Sequence, residues 1–202
     1  MANLSAIHYL GTSVIDHLRR AYPKALSDAE SCTFTLYSTG FLQDSPPSDG
    51  TTMTLIPYNI TLNEHSRTAN RLAGPAIGTV PLGVDVYFLL TVWTTSTFAE
   101  QSIMGWAMRE LYINGTLDRS MLDPKGGWDV ADRIQITPSD LRIEDLIRIW
   151  EGLRQPFRLS VGYMARVVQI DVPPEPDHAP VVATRFGYHD WDYGERLEDS
   201  AP

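Results

Sequence analysis

The side chains that could bind a metal are few and scattered in this 202-residue sequence. None of its five histidines stands in a His-x-x-x-His spacing, and the single cysteine, Cys32, rules out a Cys-x-x-Cys pair. Zinc sites use such closely spaced ligands because the ligands must converge on one small ion. Residues 189–192 (HDWD) could bind a cation, but a solvated polar segment is the favoured interpretation in an acidic tail. We predict no metal and no cofactor.

The candidate nucleophiles and acids also lack the setting that catalysis needs. Ser160 lacks the first glycine of a Gly-x-Ser-x-Gly elbow and is predicted to lie within a strand. Cys32 alternates with apolar positions, which is typical of a core thiol. The acidic pair 144–145 opens a predicted helix, where it favours the helix dipole. We predict that the protein is not an enzyme, since an unrecognised site would need titratable groups that converge in a pocket.

Charge and composition exclude further classes of function. The net charge is −9, and the last thirty residues hold seven acidic side chains against two arginines, or −5. Phosphate binding needs a concentrated basic face, so nucleic acid is excluded as a partner, and no small-molecule substrate is expected. The strongest apolar run, 84–93, is shorter than the ~20 residues that span a bilayer. The lone cysteine and the lack of a signal-peptide pattern predict a cytoplasmic protein.

The first half of the chain predicts a helix followed by a β-hairpin. Apolar residues at three-and-four spacing predict a helix over 4–21. Alternating patterns over 29–41 and 52–62 flank a proline-containing turn at 43–50, so a hairpin is the simplest interpretation. Pro57 cannot donate to a strand ladder, which places it at a sheet edge or a bulge.

The second half predicts a central strand and two helices around it. Residues 84–93 form a nearly continuous apolar strand, and a helix over 98–114 is expected to end at Asn114-Gly115 in the left-handed conformation. Tryptophans 93, 106 and 150 are expected in the core. The remaining segments are a long loop at 63–81, strands at 133–137 and 157–172, and a helix at 143–153.

These segments predict an α+β fold with one mixed, mainly antiparallel sheet and two to three helices packed on one face. The composition changes after residue 172, where a proline-rich segment begins. We therefore predict a core domain over 1–172 and a proline-rich, acidic C-terminal tail over 173–202. Residues 181–186 could add a short strand.

The ordered set of segments resembles the tail-terminator, or cap, proteins of extracellular contractile injection systems of the antifeeding-prophage type. These proteins are related to the tail-completion proteins of contractile phages. The resemblance covers about residues 5–172, whereas the tail matches no family pattern. It is carried by LIPYNITLN (55–63), LGVDVYFLLT (82–91), MGWAMREL (104–111), RIQITP (133–138), LIRIW (146–150) and FRLSVGY (157–163).

The resemblance implies a tail-terminator-like fold and a structural role. Such a subunit forms a six-fold ring that closes the end of the inner tube and the sheath, so its partners would be itself and those two proteins. It would lie in the cytoplasm of the producing cell as part of a phage tail-like particle. An exposed sheet edge would take part in the strand exchange that links sheath subunits.

The predicted assembly surface comprises the edge strand 52–62, the loop 63–81 and the strand 157–172. An adaptor module that docks a partner through its sheet edge or its acidic tail is the alternative. The candidate interface residues are Asn63, Arg67, Asn70, Arg71, Arg158 and Tyr163.

Overall fold

The computed structural model describes residues 2–63 and 82–170. These residues form five α-helices, six strands and one short 3-10 helix. In chain order the elements are α1 (Ala6–Ala21), α2 (Lys24–Ala29), β1 (Cys32–Leu36), α3 (Thr39–Asp44), β2 (Thr51–Leu62), β3 (Leu82–Trp93), α4 (Thr97–Ile113), β4 (Thr116–Leu117), the 3-10 helix Pro124–Gly126, β5 (Ile134–Pro138), α5 (Ile143–Gly152) and β6 (Ser160–Ile170).

All six strands belong to one mixed sheet in the order β1-β2-β3-β6-β5-β4. Only the β1–β2 pair is parallel, and the other four pairs are antiparallel. The predicted fold class, an α+β protein with one mainly antiparallel sheet, is therefore confirmed. The apolar strand β3 lies between β2 and β6, and its length and hydrophobicity suit burial on both faces.

Helices cover both faces of the sheet, which corrects the prediction that they share one face. Alternate β3 residues from Val84 to Val92 pack in one cluster with α1 and α4. Leu89 and Trp93 point the opposite way and form a second cluster with Leu42 of α3 and Trp150 of α5. Because side chains alternate along a strand, an apolar β3 needs a cover on each side.

The predicted hairpin between β1 and β2 is wrong, because the two strands are parallel. Their register pairs Cys32 with Thr51 and Leu36 with Leu55. Residues 37–50 carry the chain back along the sheet and include α3, whose start is capped by the Ser38 hydroxyl accepting from the Phe41 amide. A parallel pair requires a crossover of about a dozen residues, which this connection provides.

Gly115 is required by close packing rather than by a left-handed helix end. The backbone at Asn114 has a φ of −115°, so the predicted left-handed ending does not occur. A Cβ atom on Gly115 would lie 2.6 Å from the carbonyl oxygen of Leu111 and 2.8 Å from that of Ile136. Both neighbours are backbone atoms, so only glycine lets α4 end against β5.

His17 of α1 is buried against α4 and should make the fold sensitive to acid. It is 9% exposed, and its Nε2 lies 3.1 Å from Oε1 of Glu110. Burial lowers the pKa of His17 below 6.5, and Arg20 lowers it further, while Glu110 opposes both effects. A lowered folded-state pKa means that the unfolded chain binds the proton first. Stability is therefore complete above pH 6.5 and falls as the pH drops towards the folded-state pKa.

We expect His17→Gln to flatten the acid limb of the stability profile. In the parent protein the contribution of His17 to the free energy of unfolding should fall by at most about 1.4 kcal/mol per pH unit between pH 6.5 and the folded-state pKa. Urea titrations at a series of pH values would measure this slope in both proteins. His8→Gln, on the exposed side of the same helix, is the matched control and should retain the parent slope. Equal slopes in His17→Gln and the parent would show that His17 does not cause the loss of stability in acid.

Candidate assembly surface

The candidate nucleophiles identified in the sequence have structural roles here. Ser160 Oγ lies 2.9 Å from Thr91 Oγ1 and donates to the carbonyl of Arg158 at 2.9 Å, at the start of β6. Burial raises the pKa of the Cys32 thiol to about 11, so it stays protonated and is a poor nucleophile. Within residues 2–63 and 82–170, no three His, Cys, Asp or Glu side chains could share a metal ion. No helix in these ranges is long and apolar enough to cross a membrane.

Strand β2 extends well beyond its neighbour β1 and leaves an open edge. β1 pairs with β2 only from Thr51 to Leu55, and the amide of Tyr37 donates to the Leu55 carbonyl at 2.9 Å. β2 continues to Leu62 beside β3. No strand of the described part of the chain pairs with the outer side of β2 after Leu55. We call residues 57–62 of β2 the open edge.

The proline in β2 explains how this open edge begins. Backbone groups alternate along a strand, so the outward carbonyl of Leu55 makes Pro57 the next outward position. Proline has no N–H to leave unpaired, which fits a free edge. The β2–β3 register also shifts between Pro57 and Asn59, so the predicted bulge is confirmed. Pro57 thus lies at the bulge in β2. Before the bulge, β2 pairs with β1 on one side and β3 on the other, and after it β3 is the one described strand that pairs with β2.

After the bulge, two residues present hydrogen-bonding groups to a partner. The Asn63 amide donates to the Gly83 carbonyl at 2.9 Å, so this position faces β3. By alternation, the backbone groups of Ile60 and Leu62 point outward. Their side chains are 48% and 58% exposed. The open edge therefore has apolar side chains and outward backbone groups that no described strand pairs with.

An apolar groove adjoins the open edge at Pro57. It has a volume of about 740 Å³ and lies between the start of α1 and the segment that leaves β1. Its aromatic side includes Tyr37 and Phe41, whose ring centres are 5.1 Å apart. Leu4 and Phe41 are 74% and 55% exposed, and none of the described residues that line the groove is an acid, a lysine or an arginine. The lining residues are Leu4, Ser5, Ile7, His8, Tyr9, Leu36, Tyr37, Ser38, Phe41 and Pro57.

Asn63, a predicted interface residue, fixes the end of the open edge. Its Nδ2 donates to both carboxylate oxygens of Asp85, at 3.2 and 3.0 Å. Asp85 is buried in β3 at the shift in the β3–β6 register, so it needs such a partner. The Asn63 side chain therefore holds β2 against β3 at the end of the first described range, residues 2–63.

The remaining predicted interface residues do not come together. The guanidinium of Arg158 lies 4.5 Å from the ring centre of Trp93, at the opposite end of β3 from Asp85. Asp85 and Trp93 are eight positions apart along the strand, or roughly 26 Å. Tyr163 is 2% exposed and packs in the core, where burial raises its pKa to about 12. It supports the fold and is not available to a partner. Arg67, Asn70 and Arg71 lie outside the described residues.

The groove was not found from the sequence. Leu4, Tyr37 and Phe41 belong to three segments that a hairpin would have kept apart. They line one groove because the segment that leaves β1 passes the start of α1. The only sequence signal was indirect, since Tyr37 and Phe41 extend an apolar pattern past the end of strand β1.

The described residues thus form an α+β domain with a six-stranded mixed sheet, helices on both faces and an open edge on β2. The chain belongs to the family described as the Pvc16 N-terminal domain, whose model matches residues 10–184. None of the curated proteins matches the sequence.

Two solved structures share the fold. One is described as the sheath/tube terminator of an extracellular contractile injection system, PVC, in the extended state. It matches with a TM-score of 0.53 and 16% identity over 91% of this chain. The other is the tube-terminating cap of the anti-feeding prophage, with a TM-score of 0.53 and 17% identity over 88% of this chain. The chain covers 63% and 60% of the lengths of these two proteins.

Proposed function

We propose that the protein is a structural cap subunit that ends the tube and sheath of a contractile injection particle. The observation that carries this proposal is an open strand edge beside an apolar groove, in a fold shared with two terminators of such particles. No catalytic step is assigned to the protein. Its partners are other copies of itself, the sheath protein and the inner-tube protein, within a particle built in the cytoplasm of the producing cell.

Strand addition is the mechanism that suits this surface. An extended segment of a sheath subunit would pair with the outward backbone groups of Ile60 and Leu62 and so lengthen the sheet. Alternate side chains of that segment would reach the groove at Pro57. Backbone pairing supplies affinity, and the uncharged groove selects an apolar segment.

Ring closure requires a different contact from strand addition. A ring of six copies uses two different patches on each subunit, since only two-fold contacts use the same patch twice. The segment at 63–81, with Arg67, Asn70 and Arg71, is our candidate for one of these patches. Arg158, which lies at the far end of β3, is the candidate for the other. Neither nucleic acid nor a small molecule takes part.

Deleting the protein from a producing strain tests the proposal. We expect negative-stain images to show sheaths of uncontrolled length or tubes with open ends, and a complementing copy to restore uniform particles. The mass of the purified protein, measured by light scattering, should correspond to six copies. Normal particles in the deletion strain would overturn the proposal. A monomer that binds a partner without affecting sheath length would instead indicate the adaptor module.

A further inference from the structure

The outer side of α4 carries exposed residues at the spacing of a helix–helix contact. These positions repeat at intervals of three and four residues and lie opposite the side of the helix that packs on the sheet. Tyr112 and Phe98 are 84% and 73% exposed. We call this set the α4 stripe, and it consists of Phe98, Gln101, Gly105, Met108 and Tyr112. A surface helix normally presents polar side chains at such positions, so the α4 stripe is suited to a partner.

Gly105 lies at the middle of the α4 stripe, and no contact within the described chain requires a glycine there. A Cβ atom at this position would meet no heavy atom within 4 Å. Its φ is not positive, so the backbone conformation does not require glycine either. Glycine inside a helix is less favourable than alanine, because it loses more conformational freedom on folding. The missing side chain leaves a notch that a bulky side chain of another helix can fill.

The exposed side of α5 offers a second apolar surface on the opposite face of the sheet. Ile143 and Ile147 are four residues apart, so they lie together on this short helix, and both are exposed. We call them the isoleucine pair. α4 packs in the cluster on one face of the sheet, whereas α5 packs in the cluster on the other face. Two different patches on opposite sides of a subunit suit a head-to-tail contact between copies.

The charges beside these two surfaces have opposite signs. Exposed Arg109 lies beside the α4 stripe, and exposed Glu144 and Glu151 lie beside the isoleucine pair. The other two charged residues of α5, Asp145 and Arg148, pair with each other at 3.8 Å. Among the described residues, no ion pair involves Arg109 or either glutamate. Opposite charges favour α4 of one copy against α5 of another, whereas either helix against itself brings together charges of one sign.

The isoleucine pair lies on the same face of the sheet as a residue already assigned to ring closure. The ring centre of Trp150, on the buried side of α5, is 5.9 Å from that of Trp93. The guanidinium of Arg158 lies 4.5 Å from the Trp93 ring centre. A neighbouring copy that covers α5 therefore approaches from the face that carries Arg158.

We propose that the α4 stripe of one copy packs against the isoleucine pair of the next copy, so that copies associate head to tail. Ile147 of one copy fills the notch at Gly105 of its neighbour. Arg109 of the neighbour then pairs with Glu144 or Glu151. A contact of this kind closes into a ring when its rotation completes a circle. The place of this contact in a six-membered cap rests on the proposed function, whereas the contact itself does not.

Light scattering on the full chain tests the contact. The parent protein should have the mass of several copies. Tyr112→Asp and Ile147→Asp should each have the mass of one copy, because each places a charge inside the contact. Val130→Asp adds the same charge at an exposed apolar position outside both helices, and it should retain the parent mass. A monomeric parent, or a Tyr112→Asp variant with the parent mass, would overturn the proposal.

A mixture of the two variants distinguishes a head-to-tail contact from a two-fold one. Tyr112→Asp keeps an intact isoleucine pair, and Ile147→Asp keeps an intact α4 stripe. An equimolar mixture should therefore have the mass of two copies, joined by one intact contact. If α4 instead packed against α4 of another copy, Ile147→Asp alone would retain the parent mass, and the proposal would be overturned.

Gly105 provides a readout that separates assembly from folding. Gly105→Gln fills the notch and should lower the mass to one copy, although the fold has space for the side chain. Its midpoint of urea unfolding should exceed that of monomeric Tyr112→Asp, because glutamine is a better helix former than glycine. The parent mass in Gly105→Gln would overturn the close approach at this residue. All these readouts use the isolated protein, so normal particles in the deletion strain would overturn the cap function alone.

Discussion

Replacing Ile60 with proline should abolish partner docking at the open edge while leaving the free energy of unfolding within about 1 kcal/mol of the parent value. The Ile60 N–H points away from β3, so its loss breaks no bond in the sheet. A docking strand, however, loses one backbone donor and meets the proline ring. An unsatisfied buried carbonyl costs about 1–3 kcal/mol, so partner affinity should fall by about 5- to 150-fold. Particle images and thermal unfolding of the same variant would measure both effects.

Two controls make the Ile60→Pro result specific. Ile60→Thr keeps the N–H and the strand preference, so it should retain capping. Asn59→Pro removes an N–H that faces β3, and it should lower stability by about 3 kcal/mol. Normal capping by Ile60→Pro would show that partners do not pair with this edge. A stability loss as large as that of Asn59→Pro would show that the Ile60 amide faces β3 instead.

The elements with the clearest periodicity were predicted correctly from the sequence. The unbroken apolar run predicted β3, and the three-and-four spacing of apolar residues predicted α1. The buried positions of Trp93 and Trp150 followed from the same patterns. Local pattern was enough in these cases because burial depends mainly on which face of an element is apolar.

Strand direction could not be derived in this way. Alternation over β1 and β2 is the same whether the strands are parallel or antiparallel, since side chains alternate in both. The direction depends on the connection between the two strands. The proline-rich segment predicted a turn, and the short helix α3 in this connection was not predicted. The need for glycine at position 115 is likewise set by a contact with Ile136 that no local signal shows.

The candidate interface illustrates the same limit on sequence inference. Tyr163 and Ala165 are buried in the core, and the sequence pattern of β6 did not show which of its faces is buried. The open edge was predicted correctly at Pro57, because proline has a fixed chemical consequence in a ladder. The groove beside it is made by three distant segments, so only the folded chain reveals it.

Replacing Trp150 with alanine should destabilise the protein by about 3–5 kcal/mol, the usual cost of removing a buried tryptophan. Trp150 is fully buried, and its ring centre lies 5.9 Å from that of Trp93. It packs in the smaller cluster, which joins Leu42 of α3 and Leu146 of α5 to the sheet. Few other side chains attach α5, so the cavity would loosen the whole helix. Urea unfolding followed by circular dichroism would measure the loss.

Two further substitutions separate packing from polarity at this site. Ile147 lies on the same helix and is 42% exposed, so Ile147→Ala should lower the free energy of unfolding by less than about 1 kcal/mol. Trp150→Phe keeps most of the apolar volume and removes an indole N–H that is buried with no hydrogen bond to a described residue. The free energy of unfolding should therefore fall much less in Trp150→Phe than in Trp150→Ala. Equal losses in Trp150→Phe and Trp150→Ala would show that the indole N–H, rather than the ring volume, holds α5 on the second face of the sheet.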